Sequence, residues 1–146
     1  MLQSEAVQAR RKSKRFSLVL IDPELLQPFH NPWGRQAREH VQGIVAKVIK
    51  RVLLEGDNVV RYRGEGFLIF LPNAGSLTAL LVADMIRRAV ERTKWPGGMT
   101  VTVSAGVASY PDDGERLTEL LKNLESALSR AKSEGRNQVH CVSVRL

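Results

Sequence analysis

A glycine-rich turn between two short β-forming segments is the feature that most constrains the fold. Residues Asn58–Tyr62 and Phe67–Leu71 are rich in β-branched and aromatic side chains, and the four residues Arg63-Gly64-Glu65-Gly66 separate them. Two such runs joined by a short loop that contains glycine are typical of a β-hairpin. The sequence therefore predicts an antiparallel hairpin with Glu65 in its turn.

The segments before the hairpin predict a strand, an interrupted stretch and a helix. The run Phe16–Asp22 is apolar and closes on a carboxylate, so Asp22 is expected at the C-terminal end of a strand. Three prolines then predict a short helix or loop: Pro23, Pro28 and Pro32. From Gly34 to about Leu54, apolar residues recur at steps of three and four, which indicates an amphipathic helix.

The segments after the hairpin predict two helices and two strands. The apolar residues of the first helix are Leu77, Leu80, Leu81, Met85 and Ala89, and those of the second run from Leu117 to Ala131. Both stripes are interpreted as core contacts. Strands are expected at Thr100–Ser104 and Gln138–Val144, and Gly135 stands where a helix-ending glycine belongs. This order predicts an α+β fold with a central, mostly antiparallel sheet of about five strands flanked by helices.

Composition restricts the class of protein further. A chain of 146 residues with 43% hydrophobic side chains fits one domain, here divided into a basic lead-in over residues 1–15 and a domain over 16–146. A single cysteine, Cys141, excludes an internal disulfide framework. The apolar runs are too short to cross a membrane and the N-terminus does not resemble a secretory signal. We expect a cytoplasmic location without membrane insertion, either alone or within a larger, membrane-linked protein.

The charge balance favours partners that carry phosphate. The net charge is +7, and five cations precede the first strand: Arg10, Arg11, Lys12, Lys14 and Arg15. Such a cluster suits a nucleotide, a nucleic acid or an anionic lipid, whereas the ordinary alternative is a solvated linker.

Two acids and two cations are the candidate site residues. Asp22 and Glu65 reach one point of the sheet edge if their strands are neighbours, and paired carboxylates suit Mg²⁺ with a phosphate as co-ligand. Gly64 and Gly66 would let backbone amides approach that phosphate. Lys132 and Arg136, four residues apart at a helix end, could bind it as well. The alternatives are an ordinary turn and cations that only complement the helix dipole.

Three stretches in the same order resemble the GGDEF family, the diguanylate cyclases that condense two GTP molecules into cyclic di-GMP. Residues Val60–Pro72 are similar to the signature hairpin, Thr102–Ala108 to a core strand, and Ala127–Asn137 to the final helix and turn. The resemblance implies a palm-like fold shared with nucleotide cyclases.

The site residues implied by the resemblance match unevenly. Asp22 matches the metal aspartate of the first strand, and Glu24 matches the second acid, two residues later. Glu65 matches the acid at the third signature position, and Lys132 and Arg136 match the triphosphate contacts. The departures are Gln27 for a phosphate lysine, His30 and Glu39 for the guanine-reading asparagine and aspartate, Arg63 for the first signature glycine, and Gly66 for the fourth-position glutamate. We expect the Arg63 side chain to project into the nucleotide space.

These departures lead to the prediction that the chain is not an enzyme but a degenerate domain acting as a signalling or protein-interaction module, alone or as a homodimer, with no required cofactor. Alternatives are a sensor of GTP with Mg²⁺, a residual diguanylate cyclase, and nucleic-acid binding through the basic N-terminus. In the inhibitory motif of the family, Asp57 remains but Leu54 replaces the arginine, so weak or absent cyclic di-GMP binding is expected.

Overall fold

A computed structural model describes residues 15–26 and 34–142. Predictions made for the basic cluster before Arg15, for Gln27 and for His30 lie outside the described residues. The strands are β1 (Phe16–Leu26), β2 (Asn58–Tyr62), β3 (Gly66–Pro72), β4 (Thr100–Tyr110) and β5 (Val139–Cys141). The helices are α1 (Arg35–Val52), α2 (Ser76–Arg92) and α3 (Leu117–Ser133), with a short 3-10 turn at Pro96–Gly98.

The five strands form one sheet in the order β2-β3-β1-β4-β5. The pairs β2–β3, β3–β1 and β1–β4 are antiparallel, whereas β4 and β5 are parallel. The predicted α+β fold with a mostly antiparallel sheet of about five strands is therefore confirmed, as is the hairpin of β2 and β3. In this strand order β1 lies beside β3 at the centre of the sheet, which brings Asp22 near the hairpin turn.

Helices cover both faces of the sheet, because side chains of the central strands point alternately to opposite faces. On one face Val19, Ile21 and Ile69 pack with α1 and α2 in one apolar core. On the other face Leu18, Leu20 and Phe70 pack with α3. A Cβ atom on Gly106 would lie 2.7 Å from the carbonyl oxygen of Leu124, so this glycine lets α3 approach β4 closely.

The first strand is longer than the sequence indicates, and Asp22 is not at its end. β1 continues through Pro23 to Leu26, paired with β4 along its whole length, whereas its pairing with β3 ends at Ile21. Beyond Ile21 one flank of β1 is therefore open, and an open flank tolerates a proline that lacks an amide hydrogen. The prediction that Pro23 opens a loop or short helix is wrong.

The helix predicted around Leu77 to Ala89 exists, but its expected buried face is wrong. Leu77, Leu81 and Met85 have 59, 57 and 54% exposed surface. The buried residues of α2 are Ala79, Ala83, Ile86 and Val90. The two alanines let the first half of the helix approach the sheet, and Ile86 and Val90 fill the contact further along, so Leu77, Leu81 and Met85 lie on the opposite face. None of the helices in residues 15–26 and 34–142 is long and apolar enough to span a bilayer.

Candidate active site

The candidate site lies where the pairing of β1 with β3 ends. The last pair in the register is Ile21 with Phe67, so Asp22 stands next to the start of β3. A Cβ atom placed on Gly66 would lie 3.9 Å from Oδ1 of Asp22. The antiparallel register thus brings the Asp22 carboxylate next to Gly66, at the end of the turn that carries Glu65.

The end of α3 brings two cations to the acids of β1. Lys132 Nζ forms an ion pair and a hydrogen bond with Asp22 Oδ2, and Arg136 forms an ion pair with Glu24 Oε2. All four side chains are partly exposed, with 22 to 47% of the side-chain surface accessible. Ion pairs of this exposure can exchange partners at small cost. The site therefore joins residues 110 positions apart in the sequence.

A Schellman motif at the end of α3 explains how Arg136 reaches the site. The Arg136 amide donates to Ala131 O at 2.9 Å, and the Gly135 amide approaches Lys132 O at 3.4 Å. Gly135 has φ +127°, a conformation that side-chain-bearing residues rarely adopt. The predicted helix-ending role of Gly135 is confirmed, and the turn directs the chain after it back towards β1.

The acids of the site could supply part of the ligands of a divalent cation, with phosphate oxygens supplying others. Within the described ranges, no group of three or more His, Cys, Asp or Glu side chains could hold a metal by itself. Mg²⁺ commonly binds through one or two carboxylates together with water and substrate phosphates. Asp22 and Glu65 lie near the same end of the β1–β3 pair and are side chains of this ligand type.

A pocket of about 440 Å³ opens between the start of α1 and the hairpin turn. Its lining residues are Gly34, Arg35, Arg38, Glu39, Gln42, Gly64 and Glu65. Gln42 Nε2 donates to Gly64 O at 3.2 Å and so ties the turn to α1. Glu39, the predicted base-reading acid, and Gly64 thus share one cavity.

Arg63 does not line this pocket, contrary to the sequence-based expectation. Its guanidinium pairs with Glu125 Oε2 of α3 at 2.9 Å and lies 5.3 Å from the centre of the Tyr62 ring. Tyr62 donates its hydroxyl to the same carboxylate oxygen at 2.5 Å. Burial and this hydrogen bond raise the pKa of Tyr62 above its usual value. The Arg63 side chain is therefore held against α3 and outside the pocket at the start of α1.

Gly66 is tightly enclosed by backbone. A Cβ atom at this position would lie 2.9 Å from the Tyr62 carbonyl oxygen and 3.2 Å from that of Ile21. Both distances are shorter than ordinary van der Waals contact. The hairpin in its present conformation therefore accommodates only glycine at the fourth signature position.

Asp57, the residue that remains of the predicted inhibitory motif, is hydrogen-bonded to the backbone of Leu54. Asp57 accepts a hydrogen bond from the Leu54 amide at 2.8 Å and donates its own amide to Leu54 O at 3.0 Å. The Leu54 side chain is 77% exposed. Asp57 thus closes the turn between α1 and β2, and weak cyclic di-GMP binding at this position stays a prediction.

Sequence reasoning did not identify Arg38, Gln42 and Glu125 as site residues. Arg38 NH1 lies 3.8 Å from Glu65 Oε2, at the pocket wall. Arg38 and Gln42 are one turn apart on α1, and this spacing places them on one helix face. That signal was present in the sequence, but only the sheet order shows that the face meets the hairpin.

The antiparallel palm, with acids on β1 just beyond its pairing with β3 and cations at the end of α3, is the architecture of a nucleotide-cyclase-like domain. The chain belongs to the GGDEF family: the family model described as "Diguanylate cyclase, GGDEF domain" matches residues 1–138. Diguanylate cyclase A of Treponema denticola is 34% identical over 131 residues, which are 88% of this chain and 35% of that protein. Diguanylate cyclase DgcM of Escherichia coli K12 is 36% identical over 124 residues, 85% of this chain and 30% of that protein.

Solved structures agree with this fold. The active GGEEF domain of a diguanylate cyclase from Vibrio cholerae has a TM-score of 0.87 at 23% identity, and the match covers 99% of this chain and 96% of that one. The coiled coil and GGDEF domain of DgcB from Caulobacter crescentus, in complex with c-di-GMP, has a TM-score of 0.82 at 25% identity, covering 96% of this chain and 76% of that one.

The comparisons correct one prediction from the sequence. The interpretation that the chain is not an enzyme is wrong, because the matching family and the relatives at 34 and 36% identity are named diguanylate cyclases. The placement in a cyclic di-GMP signalling family is confirmed. The chain spans about a third of the length of these curated relatives.

Proposed function

We propose that this domain binds GTP together with Mg²⁺ and joins two GTP molecules into cyclic di-GMP at a low rate. The observation that carries the proposal is the meeting of Asp22 and Glu24 with Lys132 and Arg136 beside the Glu65 turn. Acids for a metal ion and cations for a triphosphate then occur at one place, next to a cavity large enough for a nucleoside. The names of the relatives support the same reaction.

The two ion pairs support a joint binding of metal and nucleotide. Lys132 and Arg136 would exchange their carboxylate partners for phosphate oxygens, which guanidinium and ammonium groups bind by charge-assisted hydrogen bonds. The freed carboxylate of Asp22, together with Glu65, would hold Mg²⁺. A bound Mg²⁺ would stabilise negative charge on the phosphate oxygens during transfer.

The other residues of the pocket would orient the nucleotide. Glu39 lines the cavity and can accept hydrogen bonds from a base, while the glycine backbone of the turn leaves room for phosphates. The reaction joins the 3′-oxygen of one GTP to the α-phosphorus of another, with pyrophosphate leaving. Two domains would therefore have to face each other, each holding one GTP, so we include a homodimer in the proposal.

Gly66 accounts for the low rate in this proposal. The missing carboxylate removes one ligand for the metal ion that would stabilise negative charge on the phosphate, and loss of one stabilising group from an active site typically costs about a hundred- to a thousandfold in rate. Asp22, Glu65, Lys132 and Arg136 remain, so binding and slow turnover are both expected.

The test is incubation of the purified chain with GTP and Mg²⁺ or Mn²⁺, followed by chromatography and mass spectrometry for cyclic di-GMP. We expect slow product formation by the natural chain and none by the double variant Lys132→Ala/Arg136→Ala. Arg92→Ala, at the end of α2, is the matched control and should keep the activity. Absence of product at saturating GTP over a day would contradict the catalytic part, and absence of GTP binding would contradict the whole proposal.

A further inference from the structure

We propose that Arg38 selects guanine by donating hydrogen bonds to O6 and N7 of the base, an inference that rests on the proposed binding of GTP. Arg38 lies on the first turns of α1 and lines the pocket that also contains Glu39 and Gly64. Of the two arginines in that lining, Arg38 is the one that lies close to the hairpin acid.

The guanidinium of Arg38 lies at the pocket and is held there only by a weak contact. Its NH1 atom is 3.8 Å from Glu65 Oε2, which is too long for a hydrogen bond and amounts to a Coulombic contact. The two side chains are 60 and 44% exposed, so solvent screens this attraction and the pair contributes little. A ligand can therefore recruit the guanidinium without a large loss.

The pocket walls around Arg38 are held in place. Gln42 is 7% exposed and donates from Nε2 to Gly64 O, which links the helix that carries Arg38 to the hairpin turn. Arg38 and Gln42 are four residues apart on α1 and so project from the same face. A base that enters the pocket would meet a preformed wall rather than two independent segments.

The donor and acceptor pattern of this wall matches guanine. Guanine offers two acceptors, O6 and N7, on one edge, and an arginine fork is the commonest group that reads them. The adjoining edge carries N–H donors, which the neighbouring carboxylate of Glu39 can accept. Adenine places an amino donor beside N7, so Arg38 would face a donor with a donor. A guanidinium and a carboxylate at consecutive positions thus favour guanine over adenine.

The test compares GTP with 7-deaza-GTP, which lacks the N7 acceptor and keeps the triphosphate and the remaining base edges. Calorimetric titrations in Mg²⁺ would use the natural chain, Arg38→Ala and Arg92→Ala. The last is the control, because it removes the same charge from the end of α2, outside the lining of the pocket. We expect the natural chain and Arg92→Ala to bind GTP about tenfold more tightly than 7-deaza-GTP, and Arg38→Ala to bind both equally.

The outcomes separate this inference from the proposed function. If GTP binds and 7-deaza-GTP binds equally well to the natural chain, the role of Arg38 is refuted while nucleotide binding stands. If Arg38→Ala weakens both nucleotides by the same factor, Arg38 contacts phosphate and the inference is again refuted. If the natural chain binds neither nucleotide, the proposed function fails first. Thermal unfolding of each variant confirms that the fold is kept.

Discussion

Replacement of Gly66 by alanine measures whether packing or chemistry maintains a glycine at the fourth signature position. The added Cβ would lie 2.9 Å from Tyr62 O and 3.2 Å from Ile21 O, and both oxygens belong to backbone. Backbone atoms in a paired hairpin cannot rotate away as the end of a side chain can. Overpacking of this kind typically costs about 1–3 kcal/mol, so we expect the midpoint of thermal unfolding to fall by about 3–10 °C.

Gly43→Ala is the matched control because it adds the same atom where nothing lies within 4 Å, in the interior of α1. Alanine is favoured over glycine there, and we expect a gain of about 0.5–1 kcal/mol. Urea unfolding of both variants gives the free energies directly. If Gly66→Ala is as stable as the natural chain, the hairpin relaxes around a side chain and the steric argument is refuted.

Gly66→Glu extends the same reasoning to the site. The new side chain starts 3.9 Å from Asp22 Oδ1, so without a metal ion its charge adds repulsion to the packing cost. With Mg²⁺ and GTP present, the carboxylate would gain a favourable partner. We expect a larger ligand-induced rise of the unfolding midpoint than in Gly66→Gln; equal rises in the two variants would contradict a metal-binding role of this position.

Further predictions concern groups outside the pocket. Burial, with the nearby Asp113 charge, raises the pKa of Cys141 to about 11, so its thiol stays protonated at pH 8. The folded chain should therefore react with iodoacetamide far more slowly than the unfolded chain, at a rate that keeps rising towards pH 11. A rate that levels off near pH 9 would contradict this prediction. Glu125→Ala removes the acceptor of the Tyr62 hydroxyl, so the pKa of Tyr62 should fall, as measured by ultraviolet titration against Tyr62→Phe. Asp113→Ala removes the carboxylate that accepts a hydrogen bond from the buried Ser109 amide at 2.7 Å. We expect the free energy of unfolding, measured in urea, to fall by about 1–3 kcal/mol.

Most secondary structure was predictable because its signals are local. The hairpin of Asn58–Tyr62 and Gly66–Pro72 follows from β-forming runs around a glycine turn, and α1 follows from its apolar period. Pro23 shows the limit of local rules. A proline is compatible with a strand when one flank is open, and whether a flank is open depends on the neighbouring strand.

Some site residues were likewise identified from local sequence, whereas the direction of others depends on distant residues. Lys132 and Arg136 were identified from their spacing beside Gly135, and the structure brings both to the acids of β1. Arg63 was expected in the nucleotide space, and the structure shows its guanidinium paired with Glu125 of α3, outside the pocket at the start of α1. The sequence shows that residue 63 carries a guanidinium, but the direction in which it points depends on the carboxylate of Glu125, which is 62 positions away (125 − 63 = 62).

The amino-acid sequence by itself determined the family, the order of strands and helices, and the types of side chain available to the site, because these depend on local pattern and chemical identity. Tertiary structure decided which face of α2 is buried, where Arg63 points, and that Arg38 shares a cavity with the hairpin turn. The physical reason is that an amphipathic pattern leaves several faces and rotamers available to each element. Close packing of small residues against the sheet, and ion pairs between distant segments, then select one of them.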